Sequence, residues 1–213
     1  MADAALSTLL TLASHELRGP AGVIRGYLRM LGQEPSLAER PRRVVADTIR
    51  ATDRVVALLD EISELARLKD EALKPALRSM SLRSILNQAV QAVTLPPGYE
   101  VELDVVAPAD VRRRVDEPRL RAVFETLIVT LVRGHSGAAT IDLCLVKGRA
   151  STLITVTPRT LGHGPVIDKK LDLSRGGTGL RLPIAEAVVQ AHGGRLRERW
   201  VAGRWAGFAV KLT

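Results

Sequence analysis

The sequence predicts two folded parts of different class: an all-α helical hairpin, then an α+β two-layer sandwich. Three observations carry this. Through residue 69 the apolar positions recur at alternating steps of three and four, the signature of helices with a packed seam. Beyond Pro75 the pattern breaks into short helical stretches and runs of period-two alternation. The charge changes at the same place. Residues 1–70 carry ten Lys/Arg and ten Asp/Glu, while residues 71–213 carry 21 and 13, and so hold the whole net charge of +8. We therefore divide the chain into 1–72 and 73–213.

The first helix runs from about Ala4 to Leu31, with Gly32 as a C-terminal cap. At about 1.5 Å per residue it is roughly 40 Å long. Its seam reads Leu6, Leu10, Ala13, Leu17, Pro20, Ile24, Tyr27 and Leu31. The turn Gln33-Glu34-Pro35-Ser36 leads to a second helix ending near Lys69, with a seam of Val45, Thr48, Thr52, Val55, Leu59, Ile62 and Ala66. A short connection makes the pair antiparallel. One hairpin cannot also bury Leu9, Val23, Leu28, Val44, Val56 and Leu58, so a homodimer through residues 4–69, closing a four-helix bundle, is expected.

Residues 71–80, with Pro75, read as a linker or short strand. Helices follow at Leu82–Val93, at Glu117–Arg133 with Pro118 in its first turn, and at Leu180–His192, stopped by Gly193-Gly194. Strands are expected at Tyr99–Val106, at Ala139–Lys147 and Ser151–Thr157 as a pair around Gly148, and at Arg195–Val201 and Gly207–Leu212. Helices beside a mostly antiparallel sheet make a two-layer domain. With aromatics at 3%, its core must be aliphatic.

Composition narrows the function. The basic second part favours an anionic partner such as a nucleotide or an acidic protein. Nucleic acid is not expected, because no basic recognition helix stands out and aromatics are too few for base stacking. A single Cys144, read as a buried strand residue, fits a reducing, cytoplasmic compartment. No apolar run suits a membrane span or a signal peptide. Four histidines and one cysteine form no metal-ligand spacing, so no metal site is predicted from them. His163 and His192 read as loop or capping residues, and Trp200 and Trp205, around Gly203 in a hairpin, as core.

His15 stands apart. With Leu10 at heptad position a and Ala13 at d, it falls at f, pointing to solvent, where a neutral imidazole is a competent nucleophile. On position alone a solvated surface histidine is the alternative. Its neighbourhood, Ser14-His15-Glu16-Leu17-Arg18-Gly19-Pro20, resembles the phospho-acceptor box of sensor histidine kinases. Arg119-Leu120-Arg121-Ala122-Val123 leads into a helix like the one carrying that family's asparagine box. Gly176-Gly177-Thr178-Gly179-Leu180-Arg181-Leu182 resembles its second glycine box, with His192-Gly193-Gly194 following. The resemblance covers essentially the whole chain.

It implies a second domain of the histidine-kinase ATPase type, a two-component partner bearing a response-regulator receiver domain, and His15 as phosphoryl acceptor. Glu16 would take the ring proton and Arg18 would offset phosphate charge. Gly176, Gly177, Thr178 and Gly179, opening a helix, suit a phosphate, since glycine lets backbone N–H groups approach and a helix N-terminus favours anions. A structural turn is the alternative there.

The sequence also departs from the family. Thr130 occupies the place of the magnesium-binding asparagine. Thr160-Leu161-Gly162-His163-Gly164 has Gly162 and Gly164 but no carboxylate before them for adenine, and neither Asp168 nor Asp172 stands at the right offset. Only eleven residues separate Gly164 from Gly176, so the usual lid is short. Gly19 stands where members that dephosphorylate their partner carry Thr or Asn. Pro20 removes one helical hydrogen bond and predicts a kink beside His15. Three readings follow: phosphotransfer between His15 and a receiver aspartate with an eroded ATP site, a divergent kinase using Mg-ATP to phosphorylate His15, and an adaptor without phosphoryl chemistry.

Overall fold

The computed structural model describes residues 2–69, 75–104, 111–135, 140–159, 165–175 and 179–213. The chain divides into two compact units, residues 1–73 and 74–213.

The first unit is a hairpin of two 31-residue helices, α1 (Ala2–Gly32) and α2 (Glu39–Lys69). α1 remains helical through Pro20. The inter-helix seam lies one residue further along α1 than the apolar pattern predicts. Ser7, Thr11, Ser14, Arg18, Ala21, Arg25, Leu28 and Gly32 are buried or half-buried, whereas Ala13, Leu17, Pro20, Ile24, Tyr27 and Leu31 are exposed. On α2 the expected Val45, Thr52, Leu59 and Ala66 are buried, but Thr48 and Val55 are exposed and Ser63 is buried instead. Small side chains let the two backbones approach, and the hydroxyls are satisfied: Ser7 Oγ donates to the Ala66 carbonyl at 2.9 Å and Ser14 Oγ to the Leu10 carbonyl at 2.7 Å. Polar links complete the seam, with Arg18 paired to Asp60 and both Arg25 and Arg29 beside Asp53.

The second unit runs β1 (Arg78–Ser81), α3 (Leu82–Ala92), β2 (Glu100–Asp104), β3 (Arg112–Val115), α4 (Glu117–Gly134), β4 (Thr140–Lys147), β5 (Thr152–Pro158), β6 (Val166–Lys169), α5 (Arg181–Ala191), β7 (Arg195–Val201) and β8 (Arg204–Leu212). A six-stranded sheet has the order β2-β4-β5-β8-β7-β6, in which only the β2–β4 pair is parallel. β1 and β3 form a separate antiparallel ribbon. α4 packs against α3, α5 and strands β5 and β8, giving two layers. Their interface is the predicted aliphatic core, with Leu120, Leu127, Ile128, Leu143, Ile154, Val156 and Val210 all fully buried.

The β7–β8 hairpin turns in two residues, Ala202 at φ 48° and Gly203 at φ 77°, the positive values that match strand twist. Gly207 has φ 108°, and a Cβ there would lie 2.1 Å from the Val156 carbonyl oxygen, so only glycine fits between these strands. Strands β3 and β6 were not predicted: Arg112–Val115 shows no apolar alternation, and Val166–Lys169 is a short, fully exposed edge.

Candidate phosphoryl-transfer site

His15 owes its exposure to the register of α1. With the seam shifted to Thr11 and Ser14, His15 moves from position f to e, about 100° around the helix from buried Ser14. Its side chain is 80% exposed, and that of Glu16 73%. Glu16 Oε1 lies 3.9 Å from His15 Nδ1, so a rotamer change brings the acid within hydrogen-bond reach of that nitrogen. Arg18 donates to Asp60 Oδ1 on α2 at 2.5 Å, which places its guanidinium across the hairpin instead of free beside the imidazole. A Cβ at Gly19 would meet nothing within 4 Å, so the helix one turn after His15 presents bare backbone.

In the second unit, α4 is capped by Asp116, whose carboxylate accepts the Arg119 N–H at 3.4 Å and the Ala76 N–H at 3.0 Å. The Asp116 N–H in turn donates to His192 Nε2 at 2.9 Å, while His192 Nδ1 lies 2.7 Å from the Val188 carbonyl. His192 therefore ends α5 as the Nδ1–H tautomer and fastens that end to the start of α4. The predicted capping role holds, and the link to Asp116 is one that sequence periodicity has no means of revealing.

Thr130 lies in the buried face of α4, fully enclosed, with its hydroxyl donating to the Thr126 carbonyl one turn back at 2.7 Å. It presents no outward oxygen comparable to an asparagine amide. Gly179 precedes α5 with φ 66°. Gly162, Gly164, Gly176, Gly177 and Thr178 lie outside the described residues, as do Thr160 and His163. Asp168 pairs with Arg199 at 3.3 Å, and Asp172 accepts both the hydroxyl and the N–H of Ser174. Those bonds hold the Asp172 carboxyl below the ordinary carboxylate range. Among the described residues no group of three or more His, Cys, Asp or Glu side chains is placed to hold a metal ion.

Trp200 and Trp205, expected in the core, are only half-buried, because each ring lies under a cation at the surface. The Lys169 ammonium lies 3.9 Å from the centroid of Trp200, and the Arg175 guanidinium lies 4.6 Å from that of Trp205. Between them lies Arg175, which with Trp200 Nε1 donates to the Glu198 carboxylate, a group only 2% exposed. The alternating pattern of β7 predicts its inward direction, but not that a carboxylate would be enclosed there.

Comparison with known proteins settles the family. The family described as the His Kinase A (phospho-acceptor) domain matches residues 5–71, and so contains His15. The chain is 33% identical over 221 residues to the probable sensor histidine kinase TcrY of Mycobacterium tuberculosis, covering 94% of this chain and 44% of that protein. The chain belongs to the two-component sensor histidine kinase family. Another family member, the sensor histidine kinase ZraS of Salmonella typhi, is 23% identical over 98% of this chain and 46% of its own length. This histidine kinase homologue thus spans less than half the length of these curated relatives. Its fold matches two solved histidine kinase structures. Full-length ShkA in complex with AMPPNP gives a TM-score of 0.75 at 22% identity over 96% of this chain and 45% of that one. AdeS of Acinetobacter baumannii gives 0.61 at 18% identity over 93% and 97%. The expected architecture, a helical hairpin followed by an ATPase-type α/β domain, is that of the family. Among the described residues no helix is long and apolar enough to cross a membrane.

Proposed function

We propose that this chain is a phosphoryl-transfer module of a two-component system, in which His15 exchanges phosphoryl with an aspartate on a receiver domain. The observation that carries the reading is the contrast between its two sites. His15 stands open to solvent with a carboxylate beside it, whereas Thr130, at the metal-ligand position, is fully buried with its hydroxyl committed to its own helix.

Glu16 neighbours Nδ1, which leaves Nε2 as the nucleophile. The Nε2 lone pair attacks the aspartyl phosphorus, an N–P bond forms, the acyl P–O bond breaks, and the receiver aspartate leaves as a carboxylate. The ring then sheds its Nδ1 proton to Glu16. Little else is asked of this chain, since positioning dominates phosphoryl transfer and the receiver supplies the acidic metal site. Gly19 offers no side chain to orient a hydrolytic water, which favours transfer over loss to solvent.

The same reading includes a homodimer. Large apolar side chains excluded from the intrachain seam remain exposed: Leu9, Leu17, Val23, Ile24, Tyr27 and Leu31 on α1, with Val44, Val55 and Leu58 on α2. So many large apolar side chains left outside the intrachain seam are expected when a second hairpin completes a four-helix core.

The second reading is autophosphorylation of His15 from Mg-ATP. It is favoured by the fold likeness to ShkA, which was solved with AMPPNP, and by the glycine run before α5. Incubation with radiolabelled Mg-ATP decides between the two. Under the proposal neither wild type nor His15→Ala gains acid-labile label, while receiver domains phosphorylated by acetyl phosphate label the wild type alone. Label from ATP on wild type, absent in His15→Ala, establishes the kinase reading instead.

A further inference from the structure

Residues 165–175, within the stretch between β5 and α5, are tied to β7 at both ends. At the start, the Ala202 N–H donates to the Pro165 carbonyl at 3.2 Å. β6 then pairs with β7 in the register Val166↔Val201, Ile167↔Trp200, Asp168↔Arg199 and Lys169↔Glu198. Because the Pro165 carbonyl faces β7, antiparallel alternation turns the amides of Ile167 and Lys169 inward and those of Val166 and Asp168 outward. Asp168 adds an ion pair with Arg199, Lys169 covers the Trp200 ring, and Leu171 is buried.

The far end is fastened more firmly. The enclosed Glu198 carboxylate accepts Arg175 Nε at 2.5 Å and Nη2 at 3.2 Å, the Asp172 N–H at 3.2 Å and Trp200 Nε1 at 3.1 Å. Four donors from three residues satisfy a carboxylate that would otherwise be costly to bury. Asp172 and Ser174 close a local turn, and the Arg175 N–H donates to the Asp172 carbonyl at 3.2 Å. The Arg175 guanidinium, bidentate on Glu198, also stacks on Trp205.

We propose that residues 165–175 form a permanently fastened strap rather than a lid, locked to the β7–β8 hairpin by the Arg175–Glu198 pair whether or not a nucleotide is present. The stretch that precedes the glycine run in sequence is then preformed and does not close over a ligand. This rests on the geometry of the strap and not on the phosphotransfer reading, because the deciding measurement is made without nucleotide.

Amide hydrogen exchange on the full chain tests it. In nucleotide-free wild type the hydrogen-bonded amides of Ile167, Lys169, Asp172 and Arg175 should exchange at least about 100-fold slower than in an unstructured peptide. Added Mg-AMPPNP should leave them within a factor of about three. Glu198→Gln and Arg175→Met should each speed these amides at least about tenfold while Leu143, Ile154 and Val156 stay protected. Unprotected strap amides in nucleotide-free wild type, or protection that arises only with Mg-AMPPNP, overturn the proposal. Strap protection unchanged in both variants overturns the role of the Arg175–Glu198 pair. Should either variant lose protection throughout, the wild-type arm still decides. Acrylamide quenching of Trp200 and Trp205, the chain's two tryptophans, gives an independent readout: low and nucleotide-independent under the strap, high without nucleotide under a lid.

Discussion

At the scale of single residues, the chemistry turns on what each side chain has free to offer. His15 has an open imidazole and Glu16 an exposed carboxylate beside it, so Glu16→Gln should slow transfer to His15 on the order of 10–100-fold, at the lower end of general-base effects. Circular dichroism should remain unchanged, because Glu16 makes no buried contact. Thr130 has nothing outward to offer. Thr130→Val, which removes only the hydroxyl bonded to the Thr126 carbonyl, should change stability by no more than about 1 kcal/mol and leave receiver-dependent labelling of His15 intact. Loss of an ATP-dependent label in that variant would make Thr130 a metal ligand after all. His135 carries the pH dependence. Partial burial holds its imidazole below the ordinary value of 6.5, so the fold resists a proton that the unfolded chain accepts. Its stabilising contribution is complete above about pH 6.5 and is lost as pH falls from there through the depressed value. Thermal melts should therefore drop between pH 7.5 and 5.5, and by less in His135→Gln.

At the scale of elements, the register of α1 is the instructive case. Helix and strand positions in most of the chain follow from period and punctuation, and Arg195–Val201 matches its predicted bounds. The seam of α1 does not, and the reason is physical. The apolar stripe is read as the buried one, yet two helices approach closest through small residues, and Ser7, Ser14, Ala21 and Gly32 turn inward while Leu9, Leu12, Leu17 and Leu31 stay out. That one-residue rotation carries His15 from f to e. Ala21→Leu, which inserts bulk at this close contact, should destabilise the hairpin by about 1–3 kcal/mol in a denaturant titration. In the second unit, β3 and β6 escape prediction because three arginines hide the inward face that ends at buried Val115, and β6 is a four-residue edge exposed throughout. The same holds for the clamps: Asp116 with His192, and Glu198 with Arg175, join residues 76 and 23 positions apart.

At the scale of the whole molecule, the hairpin leaves an apolar surface that one copy does not cover. Ile24→Glu combined with Tyr27→Glu should convert a dimer into a monomer in sedimentation while retaining most helical signal. A wild-type monomer would remove the bundle from the account. The second unit has the ATPase-type fold, and its proposed loss of nucleotide chemistry leaves the phosphoryl group to arrive from outside. One measurement tests that most directly: acid-labile phosphate on this chain after incubation with a panel of acetyl-phosphate-charged receiver domains, with His15→Ala and a parallel Mg-ATP incubation alongside. Phosphoryl exchange through His15 requires label on wild type from at least one charged receiver, none on His15→Ala, and none from ATP. Label from ATP at His15, or no label from any receiver, would contradict it.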